Sequence, residues 1–255
     1  MLQATELSEN SLHGSFPRHI NDLAQRRVRY VTSGRNVTYT GRLALDESVR
    51  QDAYKLRYRS YRASGYIDEN DLKLFSDRYD SMANVSTVVI YEGDLAVASV
   101  RTCLLVRDTS LTSPALEAFP REVGQLLGKN IDNAFAGRGI EVTRLVRAPE
   151  AENNQGLVFL LYRMAGYIAM RTHSQIHLAC VRSNHVPFYR RLGYSPASEP
   201  RSYPGLKCPM LLMASDREQF DQVRATVPLI DPLNGATKNL QGFFAGEPIL
   251  LNLKS

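Results

Sequence analysis

The segment from residue 139 to residue 181 constrains the fold more than any other part of the chain. Apolar residues at helical spacing mark a helix over 155–171: Leu157, Leu160, Leu161, Met164 and Ile168. GIEVTRLV (139–146) precedes this helix, QIHLACV (175–181) follows it, and both runs are typical of strands. A strand, a helix and a strand in this order form a crossover, which pairs its two strands in parallel.

The remaining elements predict an α+β fold with a mixed, mostly antiparallel sheet flanked by helices. A helix is expected over 45–62, with Asp46 as its N-cap and Val49, Ala53 and Leu56 as its core stripe. STVVIYEGDLAVASVRTCLLV (86–106) reads as a β-hairpin that turns at Glu92-Gly93-Asp94. Three further elements are predicted: a helix over 115–127, a helix over 184–192 and a strand over 210–214.

The chain is predicted to consist of an N-terminal arm, a main domain and a C-terminal extension, over residues 1–40, 41–214 and 215–255. The arm contains two possible strands, VRYVTSG and NVTYTGRL. The extension is expected to be irregular and to lie on the surface, because prolines and glycines interrupt it: Pro228, Pro232, Gly235, Gly242 and Gly246.

Composition excludes several classes of protein. No apolar run approaches the roughly 20 residues that span a bilayer, so we expect no stable membrane insertion. The first residues, MLQATELSENSLHG, lack the pattern of a secretory signal, and three cysteines without metal or CxxC spacing fit a reducing compartment. A cytoplasmic protein without a metal site is predicted. The net charge of +5 suits a solvated surface or an acidic partner, and no nucleic-acid-binding motif is visible.

One motif resembles a known family. SNHVPFYRRLGY (183–194) is similar to the last helix of the acetyltransferase superfamily known as GNAT. The longer stretch that continues through EPRSYPGLKCPMLLM (199–213) resembles N-acyl amino acid synthases of the FeeM type, which are related to acyl-homoserine lactone synthases.

The resemblance extends upstream and covers about residues 45–214. The matching segments are YKLRYRSYRASGYI, FSDRYDS, SVRT and EVTRLV. It implies a GNAT-like acyltransferase whose substrate-binding residues are Arg57, Tyr61, Asp77, Asp80, Arg101 and Arg144. It also implies a medium- or long-chain acyl group that moves from the thioester of an acyl-acyl carrier protein to the amine of an amino acid.

The expected donor is an acyl carrier protein, with no tightly bound cofactor. Acyl-CoA is less expected, because RAPEAENNQGLV (147–158) offers Gly156 alone where acetyltransferases have a glycine-rich loop for the pyrophosphate. Three arginines after the crossover are placed to meet a phosphopantetheine phosphate or a carrier helix: Arg182, Arg190 and Arg191.

The same residues suit thioester aminolysis, which needs an uncharged amine, a polarised carbonyl and a leaving thiol. Glu141 shares a strand face with Thr143, so Glu141 could take the amine proton and Thr143 could hold the thioester oxygen. Tyr189 could protonate the sulfur. Strict alternation puts Arg144 on the face opposite Glu141, so a β-bulge near Thr143 is needed if both serve one site.

Other interpretations stay open. Glu141 could instead be a salt-bridge partner of Arg144, and Arg57 could be a core-edge residue with a buried stem. Arg101, on an apolar strand, needs a carboxylate partner, for which Asp77, Asp80 and Glu141 are candidates. The whole protein could be a lactone synthase, a non-catalytic module that binds a carrier or an acyl ligand, or, with little support, a basic nucleic-acid binder.

Overall fold

The structure, a computed structural model, describes residues 38–129, 131–233 and 237–253. The chain divides into two units, 1–34 and 35–255, and every described residue belongs to the second. The possible strand VRYVTSG and most of the predicted arm lie outside the described residues. The three-part division at residues 40 and 214 stays a prediction.

The elements follow the predicted order. The strands are β1 Tyr39–Leu43, β2 Val85–Glu92, β3 Leu95–Val106, β4 Arg138–Arg147, β5 Ile176–Val181, β6 Ser195–Pro196, β7 Arg201–Tyr203, β8 Leu206–Asp216, β9 Thr237–Lys238 and β10 Ile249–Leu251. The α-helices are α1 Glu47–Ala63, α2 Pro114–Ala118, α3 Pro120–Leu127, α4 Gln155–Arg171, α5 Val186–Arg191 and α6 Arg217–Thr226. Short 3-10 turns cover Pro149–Ala151, Ser183–His185, Pro228–Ile230 and Leu240–Ala245. Within the described residues, no helix combines the length and the apolar character needed to cross a bilayer.

The strands form one sheet in the order β6-β8-β5-β4-β3-β2-β1-β10-β9, with β7 paired to β8. β4 and β5 pair in parallel, which confirms the predicted crossover, and the other described pairs are antiparallel. Helix α4 packs on one face of the sheet with Val88 and Ile90 of β2. Helix α1 packs on the other face with Val89 and Tyr91, as the two-residue period of a strand requires.

Most element boundaries agree with the sequence prediction. Asp46 caps α1 by accepting a hydrogen bond from the backbone N–H of Val49, and α4 has the predicted bounds. The predicted helix over 115–127 is wrong in one respect, because the chain forms two helices, α2 and α3, that meet at Phe119 and Pro120. Proline has no N–H to donate and its ring clashes with the preceding turn, so the helix restarts there.

The prediction of an irregular surface tail is also wrong. β10 pairs with β1 in antiparallel register and extends the sheet, and Phe243, Ile249 and Leu251 are fully buried in the core against α4. The glycines and prolines of the tail separate short ordered elements. Strand β1 is short and would otherwise expose an unpaired edge, so pairing with β10 satisfies its backbone groups.

Arg163 holds the tail to α4. Its side chain is fully buried and donates hydrogen bonds from Nε to the carbonyl of Leu229 (2.9 Å) and from Nη1 to the carbonyl of Asn252 (3.0 Å). Burial lowers the pKa of Arg163 to about 10, with a small opposing effect of Asp231. One guanidinium thus joins two separate segments of the extension to the central helix.

We expect Phe243→Ala to lower the free energy of unfolding by about 3–5 kcal/mol, because it removes a fully buried ring and leaves a cavity. The neighbouring Phe244, whose side chain is 38% exposed, provides a matched control. Phe244→Ala should cost about 1 kcal/mol or less. Urea unfolding followed by circular dichroism measures both. Equal, small effects would mean that the tail does not belong to the cooperative core.

Candidate active site

The sheet opens between β4 and β5. Their parallel pairing ends at Val142 and Ala179, although β4 continues to Arg147 and β5 to Val181. A cavity of about 620 Å³ lies in this gap, lined by the diverging strands, the end of α1, the start of α4, α5 and β8. Beyond Val142 and Ala179, β4 and β5 are not paired with each other.

A β-bulge shapes the inner end of this cavity. Ser99 of β3 pairs with Val146 and Arg101 pairs with Thr143, so one residue of β3 faces two residues of β4. Arg144, in the bulge, has a φ of 51°, a left-handed conformation that is uncommon for a residue with a side chain. The sequence required a bulge near Thr143 only if Glu141 and Arg144 serve one site, and the structure contains one there. Thr143 and Arg144 both line the cavity, as do the other residues of β4 from Val142 to Arg147.

Three arginines and two aspartates form a buried network behind the bulge. Arg101 donates from Nη1 and Nη2 to the two carboxylate oxygens of Asp77 (2.6 and 3.1 Å) and lies 2.9 Å from Asp80. Arg57 pairs with Asp80 at 2.7 Å, and Arg144 pairs with Asp77 at 2.7 Å. The prediction that Arg101 needs carboxylate partners is confirmed. The network joins α1, β3, β4 and the loop that carries both aspartates.

The network sets the charge of Asp77. Burial alone would raise the pKa of this carboxyl group, but hydrogen bonds from Arg101 and the positive charges of Arg101 and Arg144 outweigh burial and lower its pKa to about 2. Asp77 is therefore an anion at neutral pH. Arg57 and Arg101, both predicted to bind substrate, are fully buried and do not line the cavity, and their contacts are with Asp77 and Asp80.

Glu141 does not line the cavity, but it is hydrogen-bonded to Tyr203, which does. One carboxyl oxygen of Glu141 accepts a hydrogen bond from the backbone N–H of Ala115 (2.8 Å), and the other accepts one from the hydroxyl of Tyr203 (2.5 Å). The Tyr203 hydroxyl is also 2.8 Å from Oγ1 of Thr143. Since Tyr203 has one proton and gives it to Glu141, Thr143 is the donor in that second contact.

Tyr203 was not assigned a role from the sequence, although it stands in the Tyr-Pro-Gly motif that supported the family resemblance. Burial and the nearby Glu141 raise the pKa of its hydroxyl well above the usual value, so the hydroxyl stays protonated. Arg144 lies over the Tyr203 ring (5.6 Å) and donates to the Pro204 carbonyl (2.9 Å). Gly205, at φ 76°, leaves room for this guanidinium, because a Cβ would lie 3.1 Å from Nη2.

Other predicted residues also line the cavity. Tyr61 and Tyr189 are in its wall, and burial raises the pKa of Tyr189 to about 12. Apolar side chains from several elements form part of the wall: Val158, Phe188, Leu206 and Met210. The inner cavity therefore combines hydroxyl groups with an apolar surface.

The three predicted carrier-binding arginines are placed differently. Arg182 lines the cavity, whereas Arg190 and Arg191 are exposed at the end of α5 and do not line it. Two residues that the sequence analysis did not single out, Arg147 and His185, line the outer end of the cavity beside Arg182. Within the described residues, no group of three or more histidine, cysteine or acidic side chains is arranged to hold a metal ion.

The family described as "N-acyl amino acid synthase FeeM" matches residues 52–216, which is most of the chain. The chain belongs to this FeeM family. It is an acyltransferase, as the family resemblance of the sequence predicted. Residues 52–216 contain all of the predicted site residues and Tyr203, so the cavity lies within the matched part of the chain.

Solved structures establish the fold of this FeeM-family chain. FeeM, an N-acyl amino acid synthase from uncultured soil microbes, aligns with a TM-score of 0.59 and 17% identity over 75% of this chain and 96% of its own. The CoA-dependent acyl-homoserine lactone synthase BjaI aligns at 0.54 and 16% over 74% and 85%, and the AHL synthase LasI at 0.51 and 15% over 71% and 89%. No curated protein sequence matches the chain. The predicted GNAT-like α+β fold is confirmed.

We expect Asp77→Asn to destabilise the protein at pH 7, because it leaves the buried Arg101 and Arg144 without their shared carboxylate. The difference in the free energy of unfolding between this variant and the wild type should become smaller as the pH falls. The folded-state pKa of Asp77, about 2, lies below its ordinary value of 3.8, so its stabilisation is complete above about pH 4–5 and is lost as the pH falls toward 2. The pH-dependent part amounts to about 2 kcal/mol. Urea unfolding of both proteins between pH 2.5 and 7 measures this difference. A difference that does not change with pH would contradict the charge state assigned to Asp77.

Proposed function

We propose that this protein transfers a medium- or long-chain acyl group from an acyl-acyl carrier protein to the amine of an amino acid. The choice of an amino acid as acceptor rests on the burial and the hydrogen bonding of Arg144. Its side chain is almost fully buried and lines the cavity, and its Nη1 atom has no hydrogen-bond partner among the described residues. A buried guanidinium N–H without an acceptor is costly, and the carboxylate of an amino acid would satisfy it once the wall around Nη1 opens to admit the substrate.

The hydrogen-bonded chain beside Arg144 suits removal of the amine proton. A neutral amine at Thr143 and Tyr203 would attack the thioester carbon and form the C–N bond. As it does so, Tyr203 accepts the nitrogen's proton while its own proton passes to Glu141, 2.5 Å away. Glu141 is thus the final base, and Tyr203 carries the proton across the cavity wall, which Glu141 itself does not line.

Thr143 and the open edge of β4 are suited to the thioester carbonyl. As the tetrahedral intermediate forms, the carbonyl oxygen gains negative charge, and hydroxyl or backbone N–H donors at that point stabilise it. The Thr143 hydroxyl gives its proton to Tyr203, so the proposed donor is a backbone N–H of β4, which at Thr143 has just lost its pairing with β5. The intermediate then collapses by breaking the C–S bond.

Tyr189 is proposed to assist the departing sulfur by donating a hydrogen bond. The pKa of Tyr189 is about 12, whereas a thiol has a pKa near 8.5, so full proton transfer from the phenol to the thiolate is unfavourable. The sulfur therefore leaves as a thiolate, stabilised by the Tyr189 hydroxyl, and takes its proton from solvent. Tyr61 lines the same cavity and completes an aromatic wall that suits an acyl chain.

The carrier protein is proposed as donor because the usual pyrophosphate cradle is weak. The helix after β4 begins without a glycine-rich loop, and the exposed Arg190 and Arg191 offer positive charge beside the cavity for an acidic carrier protein. BjaI is a CoA-dependent enzyme, so the fold itself is compatible with either donor. The similarity to BjaI and LasI, which are acyl-homoserine lactone synthases, makes lactone synthesis the alternative reaction.

The first test is to incubate the protein with C8 to C16 acyl carrier proteins and a mixture of amino acids, and to identify products by mass spectrometry. We expect N-acyl amino acids. A lactone ring on the product would support the alternative synthase. Tight binding of the carrier without any product would support a non-catalytic module.

Glu141→Gln and Tyr203→Phe test the relay, because each removes one proton carrier and preserves packing. We expect each to lower kcat at least ten-fold, and the double variant to be little worse than either single variant, because both act on one proton path. Circular dichroism and urea unfolding control for loss of fold. Additive losses, or wild-type rates, would remove the relay from the mechanism.

Arg101→Ala should also lower turnover at least ten-fold, through displacement of Asp77 and Arg144.

Arg144→Lys tests the acceptor site. Lysine keeps the charge but lacks the planar pair of N–H donors that meets a carboxylate. We expect a rise in KM for amino acids of ten-fold or more, whereas the matched decarboxylated amines should lose much less. An equal effect on amino acids and on their decarboxylated amines would show that Arg144 does not bind the acceptor carboxylate.

A further inference from the structure

The carboxyl group of Glu141 is held by helix α2, which does not line the cavity. In the first turn of α2, Pro114 has no N–H, and the N–H of Leu116 donates to the side chain of Ser113 (3.2 Å). The N–H of Ala115 remains for Glu141 and donates to it at 2.8 Å. Because Glu141 is fully buried, this contact decides which of its two oxygens stays available for a hydroxyl donor.

The loop that leads into α2 is fixed by one asparagine side chain. Asn84, directly before β2, donates from Nδ2 to the carbonyl of Thr112 (2.9 Å) and to the carbonyl of Leu104 on β3 (2.8 Å). Leu104 pairs with Ile140, the neighbour of Glu141 on β4. Asn84 therefore joins the start of α2 to the strand pair that carries Glu141, and the distance between α2 and Glu141 depends on it.

The residue that donates to Glu141 is held by the next helix, α3. Tyr203 ends β7, a three-residue strand that pairs with β8 outside the main order of the sheet. Arg201 of the same strand forms an ion pair with Glu122 of α3, and its guanidinium lies 5.2 Å from the centre of the Phe119 ring. Phe119 is fully buried between α2 and α3. The two adjacent helices thus hold both sides of one hydrogen bond.

The hydrogen bond between Tyr203 and Glu141 is sensitive to small movements. Its two oxygens are 2.5 Å apart, which is at the short end of the range for charge-assisted O–H···O bonds. A displacement of about 1 Å would separate them by more than about 3.0 Å, the ordinary limit for such bonds. Proton transfer in the proposed relay requires the two groups to stay within hydrogen-bonding reach.

We infer that Asn84 and the Arg201–Glu122 ion pair are positioning residues for the relay. Asn84 fixes Glu141 through α2, and the ion pair fixes Tyr203 through β7. The kinetic part of this inference rests on the proposed function, because it takes Glu141 and Tyr203 to carry the amine proton. Asn84, Arg201 and Glu122 do not line the cavity, so a change in any of them acts on the reaction through the residues that they hold.

Two substitutions of Asn84 test its role: Asn84→Ala removes both donated hydrogen bonds, and Asn84→Ser keeps a single donor. We expect Asn84→Ala to lower kcat about five-fold or more, with less than about a two-fold change in the KM of the acyl donor, and Asn84→Ser to lower kcat by a smaller factor. In a Tyr203→Phe background, Asn84→Ala should lower kcat by less than about two-fold, because the contact that Asn84 positions is already lost. An undiminished loss in that background would overturn the inference.

Asn70→Ala is the matched control. Asn70 also donates from Nδ2 to a backbone carbonyl, that of Leu74 (3.1 Å), and does not line the cavity. This variant should keep the wild-type kcat. A loss equal to that of Asn84→Ala would show that any broken side-chain contact to the backbone lowers turnover, and would overturn a specific role for Asn84.

Exchange of charges tests the ion pair with variants that change only partly exposed side chains. Glu122→Arg and Arg201→Glu each place like charges together, and we expect each to lower kcat about three-fold or more. The double variant Glu122→Arg/Arg201→Glu restores opposite charges and should regain most of the lost activity. A double variant as slow as the product of the two single losses would remove the ion pair from the inference.

Proton NMR separates this inference from the proposed function, because it needs no turnover. The proton of a short, buried O–H···O bond resonates far downfield of the amide protons, and its loss in Tyr203→Phe and in Glu141→Gln assigns it. We expect this resonance to move upfield or to disappear in Asn84→Ala and to stay unchanged in Asn70→Ala. Urea unfolding identifies the variants that remain folded, and Asn84→Ser serves if Asn84→Ala does not.

The outcomes of the two measurements are distinct. If no donor yields any product but the resonance responds to Asn84→Ala, the proposed reaction fails and the positioning role stands. If products form while Asn84→Ala leaves both the resonance and kcat unchanged, the positioning role fails alone. A wild type without this resonance would remove the contact that Asn84 is inferred to position.

Discussion

The buried ion network around Arg101 is the interaction on which the site depends. Two aspartates from an irregular loop are fixed because Arg101 reaches both of them, and each has a second arginine partner, Arg57 or Arg144. Desolvating these charges is expensive unless every partner is present, so the elements that carry them are held in one arrangement. The same network offsets the unfavourable backbone conformation of Arg144, which places that guanidinium in the cavity wall.

Most charged groups of the site are buried behind the cavity wall, and a few neighbouring residues line the cavity itself. Glu141 and the rest of the ion network lie behind the wall, whereas Thr143, Arg144 and Tyr203 line the cavity. A fixed, dry surrounding strengthens the electrostatic effect of such groups, because no water has to reorganise as charge develops. In the proposed reaction, Tyr203 is the connection between the two layers, since its hydroxyl is hydrogen-bonded to Glu141 and lies within hydrogen-bonding distance of Thr143.

The cavity exists because β4 and β5 do not pair along their whole length. β4 and β5 separate after Val142 and Ala179, and the bulge adds one residue to β4 at that point. The N-terminus of α4 then lies near the outer end of the gap, where Asn154 and the C-terminal tail cap it. The extension is therefore part of both the core and the surroundings of the site, which explains why its buried residues alternate with turns.

The sequence by itself determined the crossover, the hairpin, the bounds of α4 and the family, because these depend on local periodicity and on motifs with fixed spacing. It also indicated that Arg101 needs a carboxylate partner, and that a bulge near Thr143 is needed if Glu141 and Arg144 serve one site. Only the tertiary structure decided which carboxylates pair with which arginines, that Glu141 accepts a hydrogen bond from Tyr203, and that the tail joins the sheet beside β1. Those facts depend on contacts between residues far apart in the chain, such as Glu141 with Tyr203, and local patterns carry no record of such pairings.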